Sequence, residues 1–377
     1  MAACRWDSDT VAMETKAFPD LPQVIAGRFP RYPPLYYEMR LRRVTAQLKE
    51  NPDDLPAYDD AAVACDHLGH SDEAITWMAR KRARLEATAR PPSDEHWYRY
   101  HANLGTILAH RWLKNGADRK RLGEMTEARD HIARAIAINP DAHFGREKYQ
   151  LLVMEWILKP EKMPLGMFLT SGKSSLRQGD YVAAIKGLSG LVVLGNAWES
   201  VDIFAAMGHL LERSGESSLS HLASLRSREL IASGRRSLSP DAPREAAALI
   251  KELRFVSLNP LTGDNERHNK AVYAALRDNA DVWQRHRIDY LRERLVAGRH
   301  PDTDTAFWKD LHDVPPTRLE YPWPQEWMKG FGIYGSLVVT LAGLFIAVSV
   351  LWVGSSHAAR AVRRWRQARM SRDNLST

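Results

Sequence analysis

The chain has 377 residues, 44% of them hydrophobic, and a formal net charge of +7. Apolar content of that order is ordinary for a globular protein. Six arginines (360, 363, 364, 366, 369 and 372) against Asp373 put +5 of the +7 in the last 24 residues, which excludes a basic body built to bind nucleic acid. The two cysteines, Cys4 and Cys65, are too few for a disulfide framework, and Cys65 falls at an apolar helical position that suits a buried, inert thiol.

Residues 1–30 are poorly patterned. Pro33-Pro34 then opens a helix, because proline is tolerated in a first turn. Tyr37, Leu41, Val44 and Leu48 give that helix one apolar face, and Asn51-Pro52 ends it. It reads as a half-repeat that caps a helical array at its N-terminal end.

Two helical hairpins come next. In the first, Tyr58-x2-Ala61-Ala62-x2-Cys65 precedes Gly69 and Ala74-x3-Met78. Ser71 or Asp72 is placed to cap its second helix, and Pro91-Pro92 stops the chain after it. In the second, His101-x2-Leu104-Gly105-x2-Leu108 precedes Ala128-x3-Ile132-x2-Ala135-x4-Pro140. Small residues recur where two helices cross closely, and large apolar ones fill the groove between them. That alternation resembles the tetratricopeptide repeat. A helix is predicted over 146–158, and Pro160 and Pro164 break it. A third hairpin is carried by Phe168, Gly172, Gly179, Ala184, Leu188 and Leu191, and a fourth by Phe204, Met207, Gly208, Leu211, Leu219 and Leu222. Gly172 and Gly208 are 36 residues apart, close to the repeat length of about 34. The predicted fold class is therefore all-α: a tetratricopeptide-like solenoid over 31–232, since one hairpin cannot bury its apolar face alone.

Residues 233–243 read as a linker. Helices are predicted near 244–256, 266–278 and 281–297, within a smaller helical segment over 244–300. Pro315, Pro316, Pro322 and Pro324 predict an extended stalk over 301–330. From Phe331 to Val353 there are 23 residues without a charge, enough for a helix to cross a bilayer, with Trp323, Trp327, Tyr334 and Trp352 near its ends. Residues 354–377 form an arginine-rich tail. Gly332, Ser336 and Thr340 share one face of the span, which permits weak homo-association.

A second resemblance rests on the run Cys4-Arg5-Trp6-Asp7-Ser8-Asp9-Thr10, on Ile25-Ala26-Gly27-Arg28-Phe29, and on Asn139-Pro140-Asp141-Ala142-His143-Phe144-Gly145-Arg146. These stretches resemble a group of bacterial extracytoplasmic tetratricopeptide-repeat proteins, across roughly the first 160 residues. The resemblance implies fold and compartment and no activity. The positive-inside rule puts the arginine tail in the cytoplasm and the body outside. Ala2-Ala3-Cys4 looks like the end of a signal peptide, so Met1 is expected to fall inside a truncated one, with residues 1–3 its remnant. A body left in the cytoplasm is the alternative topology.

The sequence carries no phosphate-binding glycine loop, no HExxH and no CxxC. His67 and His70 flank a turn, and His96, His101 and His110 are too far apart for one local helix face, so solvated histidines are expected. Ser8 and Asp9 lack an identifiable base. Asp7, Asp9, Asp59 and Asp60 admit a cation or basic-partner site or simple capping and solvation, and Arg119-Lys120-Arg121 admits an anionic contact or a solvated loop. The expected function is non-catalytic: a membrane-anchored scaffold holding a protein or peptide partner, with no cofactor, no metal and no nucleic acid. Arg99, Asn103 and His110, on the first helix of a hairpin, are the candidate partner contacts. An accessory subunit of a membrane enzyme or transport complex is the second expectation, and an enzyme with an unrecognised site is the third.

Overall fold

A computed structural model describes residues 19–140, 146–171, 180–254 and 264–317. The chain divides into two units, Met1–Thr317 and Arg318–Thr377, and every described residue belongs to the first. Among the described residues there are thirteen α-helices, one 3-10 turn and no strand. None of these helices is long and apolar enough to cross a membrane. The apolar run 331–353 with Gly332, Ser336 and Thr340, the arginine tail, the N-terminal run through Asp9, and Gly172 and Gly179 lie outside the described residues.

Helix α1 (Leu21–Ala26) is short and buries Val24, Ile25 and Ala26. It stops at Gly27, where φ is +85°. A Cβ at that position would also run into the Trp198 indole, so both backbone and space require glycine. Helix α2 (Pro34–Glu50) begins and ends where the prolines and Asn51 place it. The first hairpin pairs α3 (Leu55–His67) with α4 (Ser71–Ala87) around Gly69, at φ +80°. Its second helix is capped by His70 without a side-chain bond; Ser71 is already helical, and Asp72 and Glu73 sit in the first turn, where the helix dipole favours acids.

The second hairpin pairs α5 (Glu95–Lys114) with α6 (Gly123–Ile138). Ala128 is fully buried, and its carbonyl oxygen lies 2.7 Å from where a Cβ on Gly105 would stand. The two backbones touch there, as the small residues require. Cys65 is likewise buried and free. Helices α7 (Arg146–Leu158), α8 (Leu165–Thr170) and α9 (Tyr181–Leu194) come next. A 3-10 turn at Ala197–Glu199 leads into α10 (Val201–Arg213) and α11 (Ser217–Ala232), which cross near Gly208 and Ser220. Last come α12 (Ala246–Arg254) and α13 (Asp264–Val296).

Three expectations need correction. The break near residue 279 does not exist: α13 is one helix of 33 residues, about 50 Å long. No glycine or proline interrupts it, Ala280 is fully buried, and an Arg277–Asp281 pair at 3.1 Å spans the supposed break. Helix α2 does not cap the array. Tyr36, Tyr37 and Ala64 share a core with Leu291, Leu295 and Phe307, so α13 and the segment after it cover the outer side of α2. Following contacts from α2 through α7, then α9, α10, α11 and α13, the path returns to α2, while α1 touches α9, α11 and α13.

The third correction concerns the stalk. Residues 301–317 are packed against the body. Asp302 accepts from Arg40 Nε at 2.8 Å and from Arg43 at 2.5 Å, and the Arg40 and Asp302 side chains are 0% and 7% exposed. Phe307 is fully buried, Arg28 donates to the Val314 carbonyl at 2.5 Å, and Asn279 donates to that of Pro315 at 3.0 Å. Proline removes a donor but leaves the carbonyls of its neighbourhood free to accept, and Asn279 of α13 and Arg28 supply donors to them. Pro322 and Pro324 lie outside the described residues.

Candidate functional site

Asp59 and Asp66 are two helical turns apart on α3, and Asn103 and His110 are two turns apart on α5. That equal spacing makes two parallel rungs. Asn103 Nδ2 donates to Asp59 at 2.9 Å, and His110 Nδ1 meets Asp66 Oδ2 at 2.7 Å. A third rung joins α7 to α5, where Gln150 donates to Thr106 at 3.1 Å. Each rung spans 44 residues of sequence. Buried polar groups must find partners, and here helices α3, α5 and α7 supply them to one another. Lys81 of α4 closes the ladder with an ion pair to Asp59 at 2.6 Å, both side chains being almost wholly buried. Burial pushes the Lys81 ammonium pKa down, and Asp59 acts the other way.

This places the three candidate contacts. Asn103 is fully buried within the ladder. Arg99 lies at the helix surface, bonded to Glu95 at 3.0 Å. His110 alone reaches a cleft wall. Asp59 and Asp60 are buried inside α3, so neither capping nor solvation describes them. His67 stacks on Tyr37 with ring centroids 3.9 Å apart. Among the described residues no group of three or more His, Cys, Asp or Glu is arranged to hold a metal ion.

The cleft has a volume of about 650 Å³ and lies between the C-terminal ends of α3 and α5 and the loops at 196–202 and 234–239. Asp202 fixes the far loop. Its buried carboxylate accepts from Ser237 Oγ at 2.5 Å and from the Leu238 N–H at 2.7 Å. Burial pushes that carboxyl's pKa up and these bonds oppose it. Arg119 pins the α5–α6 loop to the same wall, donating to the Leu238 carbonyl at 2.9 Å and to that of Lys159 at 2.6 Å. Of the basic triplet, Arg119 is thus a structural tie, while Lys120 and Arg121 are exposed. Arg235 pairs with Glu199 at 2.6 Å on the rim, and exposed Arg236 beside it makes no bond or ion pair among the described residues. A second cleft of about 760 Å³ begins at Gly69 and carries Asp72, Glu73, Glu124 and Glu127, with Arg111 bridging Asp72 and Glu124.

A further rung is made of two rings. His101 and His131 meet through their Nδ1 atoms at 2.8 Å, so one ring donates its Nδ1–H and the other, which must be neutral, accepts. Both pKa values are pushed down to about 4, by burial first and then by neighbouring positive charge. In the unfolded chain these rings take up protons near pH 6.5. The unfolded state then holds more protons between the two values, so the contribution is complete above about pH 6.5 and is lost as pH falls toward 4. Melting temperatures are expected to drop through that window, and His131→Leu, which removes the facing ring, is expected to flatten the drop.

No protein-family model matches the chain, and no curated protein or solved structure matches it.

Proposed function

We propose that the chain is a non-catalytic, tetratricopeptide-like scaffold that holds an acidic protein or peptide segment in the 650 Å³ cleft. The observation that carries this reading is the ladder. Each rung joins positions 44 residues apart, two between α3 and α5 and one between α5 and α7, so these helices lie side by side as in stacked helical hairpins, at a separation longer than the tetratricopeptide length of about 34. The polar groups of that face are spent on holding the helices in register. Of the rim cations, exposed Arg236 is left to meet a partner, beside Arg235 in its pair with Glu199, and this favours acidic segments. The apolar run 331–353 anchors the scaffold, with the body outside the cytoplasmic membrane and the arginine tail inside. In this setting the chain serves as an accessory subunit of a membrane complex.

One observation favours an enzyme instead. A histidine oriented by a buried aspartate at a cleft wall is an arrangement suited to a general base. A crosslinking pull-down with the full chain in mild detergent separates the readings. For the scaffold, Arg235→Glu with Arg236→Glu loses the captured partner at unchanged melting temperature, and the purified chain turns nothing over. Turnover abolished by His110→Gln supports the enzyme.

A further inference from the structure

Three guanidinium groups surround one indole. Arg226 lies 3.6 Å from the Trp198 ring centroid, Arg31 lies 5.0 Å from it and Arg277 lies 5.4 Å from it. Two of them have acids. Arg226 pairs with Glu229 at 2.9 Å, and Arg277 pairs with Glu229 at 3.3 Å and with Asp281 at 3.1 Å. Tyr273 donates its hydroxyl to the same Glu229, so that carboxylate is fully engaged. Among the described residues, Arg31 has only ring contacts, to Trp198 and to Phe29 at 5.3 Å, and its side chain makes no hydrogen bond or ion pair. Arg226 is itself buried, and among the described residues its Nε has no acceptor.

An unpaired, half-buried guanidinium beside two others is a costly arrangement. Burial pushes the Arg31 pKa down to about 10; Arg277 and Arg226 add to the fall, and Asp281 and Glu199 offset part of it. Neither acid comes within ion-pair distance of Arg31. The backbone there is held in place, because Gln284 of α13 donates to the Arg31 carbonyl at 2.7 Å. Phe29, edge-on to Trp198 with centroids 5.5 Å apart, fixes the other side. The side chain is thus positioned in advance, and it is only half-buried, so a small anion can reach it.

We propose that Arg31, backed by Arg226 and Arg277, is a binding site for a phosphate group. A carboxylate presents two oxygens and a single charge. A phosphate presents up to three terminal oxygens and a charge near −2, so it gains from donors arriving from more than one side. The site is separate from the cleft and does not rest on the scaffold reading. Its ligand is either free phosphate or a phosphomonoester, since both offer the same oxygens.

The test uses the full chain in detergent, with inorganic phosphate, phenyl phosphate, acetate and chloride compared at matched pH and ionic strength. Inorganic phosphate or phenyl phosphate is expected to raise the melting temperature saturably, by about 3 °C at about ten times the dissociation constant. Half-saturation at a lower phenyl phosphate concentration assigns a phosphomonoester as the ligand, and the reverse order assigns free phosphate. Arg31→Met keeps an unbranched side chain over the two rings and removes the charge. It is expected to abolish the rise and to melt no lower than the parent without ligand. An equal rise in acetate or chloride, a rise that survives Arg31→Met, or no rise with either phosphate probe overturns the proposal. So does an Arg31→Met variant that melts lower without ligand, because the guanidinium is then a packing element.

Discussion

Ala128→Arg is expected to destabilise the body by about 3–5 kcal/mol, the sum of overpacking and of burying a charge without a partner. Ala128 is fully buried, and its carbonyl is within 2.7 Å of the space a Cβ on Gly105 would need. The α5 and α6 backbones are therefore in contact, and a guanidinium has no path to solvent between them. Ile132 lines the same contact and cannot withdraw without opening the hairpin. A body of this size loses about 2–4 °C per kcal/mol, so calorimetry should show a drop of about 10 °C. Ala128→Gly removes only a methyl group and should cost about 1 kcal/mol. Equal melting temperatures for Ala128→Arg and the parent would show that these helices do not cross there.

The second large effect is at the ladder. Lys81→Met leaves Asp59 buried with Asn103 as its remaining donor. Removing one partner of a buried pair typically costs about 3–5 kcal/mol, because the other charge stays behind. Lys81→Met combined with Asp59→Asn removes both charges and keeps an acceptor for Asn103. That double variant should recover most of the loss, since neutral replacements of buried pairs are often tolerated. Urea unfolding of the two single variants and the double variant gives the coupling directly. Additive losses would mean that Lys81 and Asp59 do not meet.

Where chain punctuation decides, the sequence was legible. Pro33-Pro34 and Asn51 bound α2, Pro160 comes just after the end of α7, and the small residues Gly105 and Ala128 mark a true crossing. Where tertiary contact decides, it was not. Residues 278–281 carry two aspartates and an asparagine around Ala280, which looks like a gap between helices. The burial of Ala280 and the Arg277–Asp281 pair make it continuous helix. The packing of α13 on α2 could not be inferred, because the apolar positions of a helix do not name their partner. Asp302 looked like stalk because single charged residues read as exposed; only the fold brings Arg40 and Arg43 to it. The ladder was hidden for the same reason. Its one visible sign was that Asp59 and Asp66 repeat the seven-residue spacing of Asn103 and His110. Trp198 gave no signal at all, although Gly27, Phe29, Arg31 and Arg226 are organised around it.

The scaffold proposal is tested most directly by placing a photo-crosslinking residue at Arg236 in cells, and a second one at Val182 of α9. Val182 is 73% exposed and does not line the cleft, so it reports chance encounters. The account predicts one discrete adduct from position 236, absent from position 182 and lost when Arg235→Glu is added. Identical adducts from both positions, or none from 236 in a chain that turns over a substrate, would contradict it.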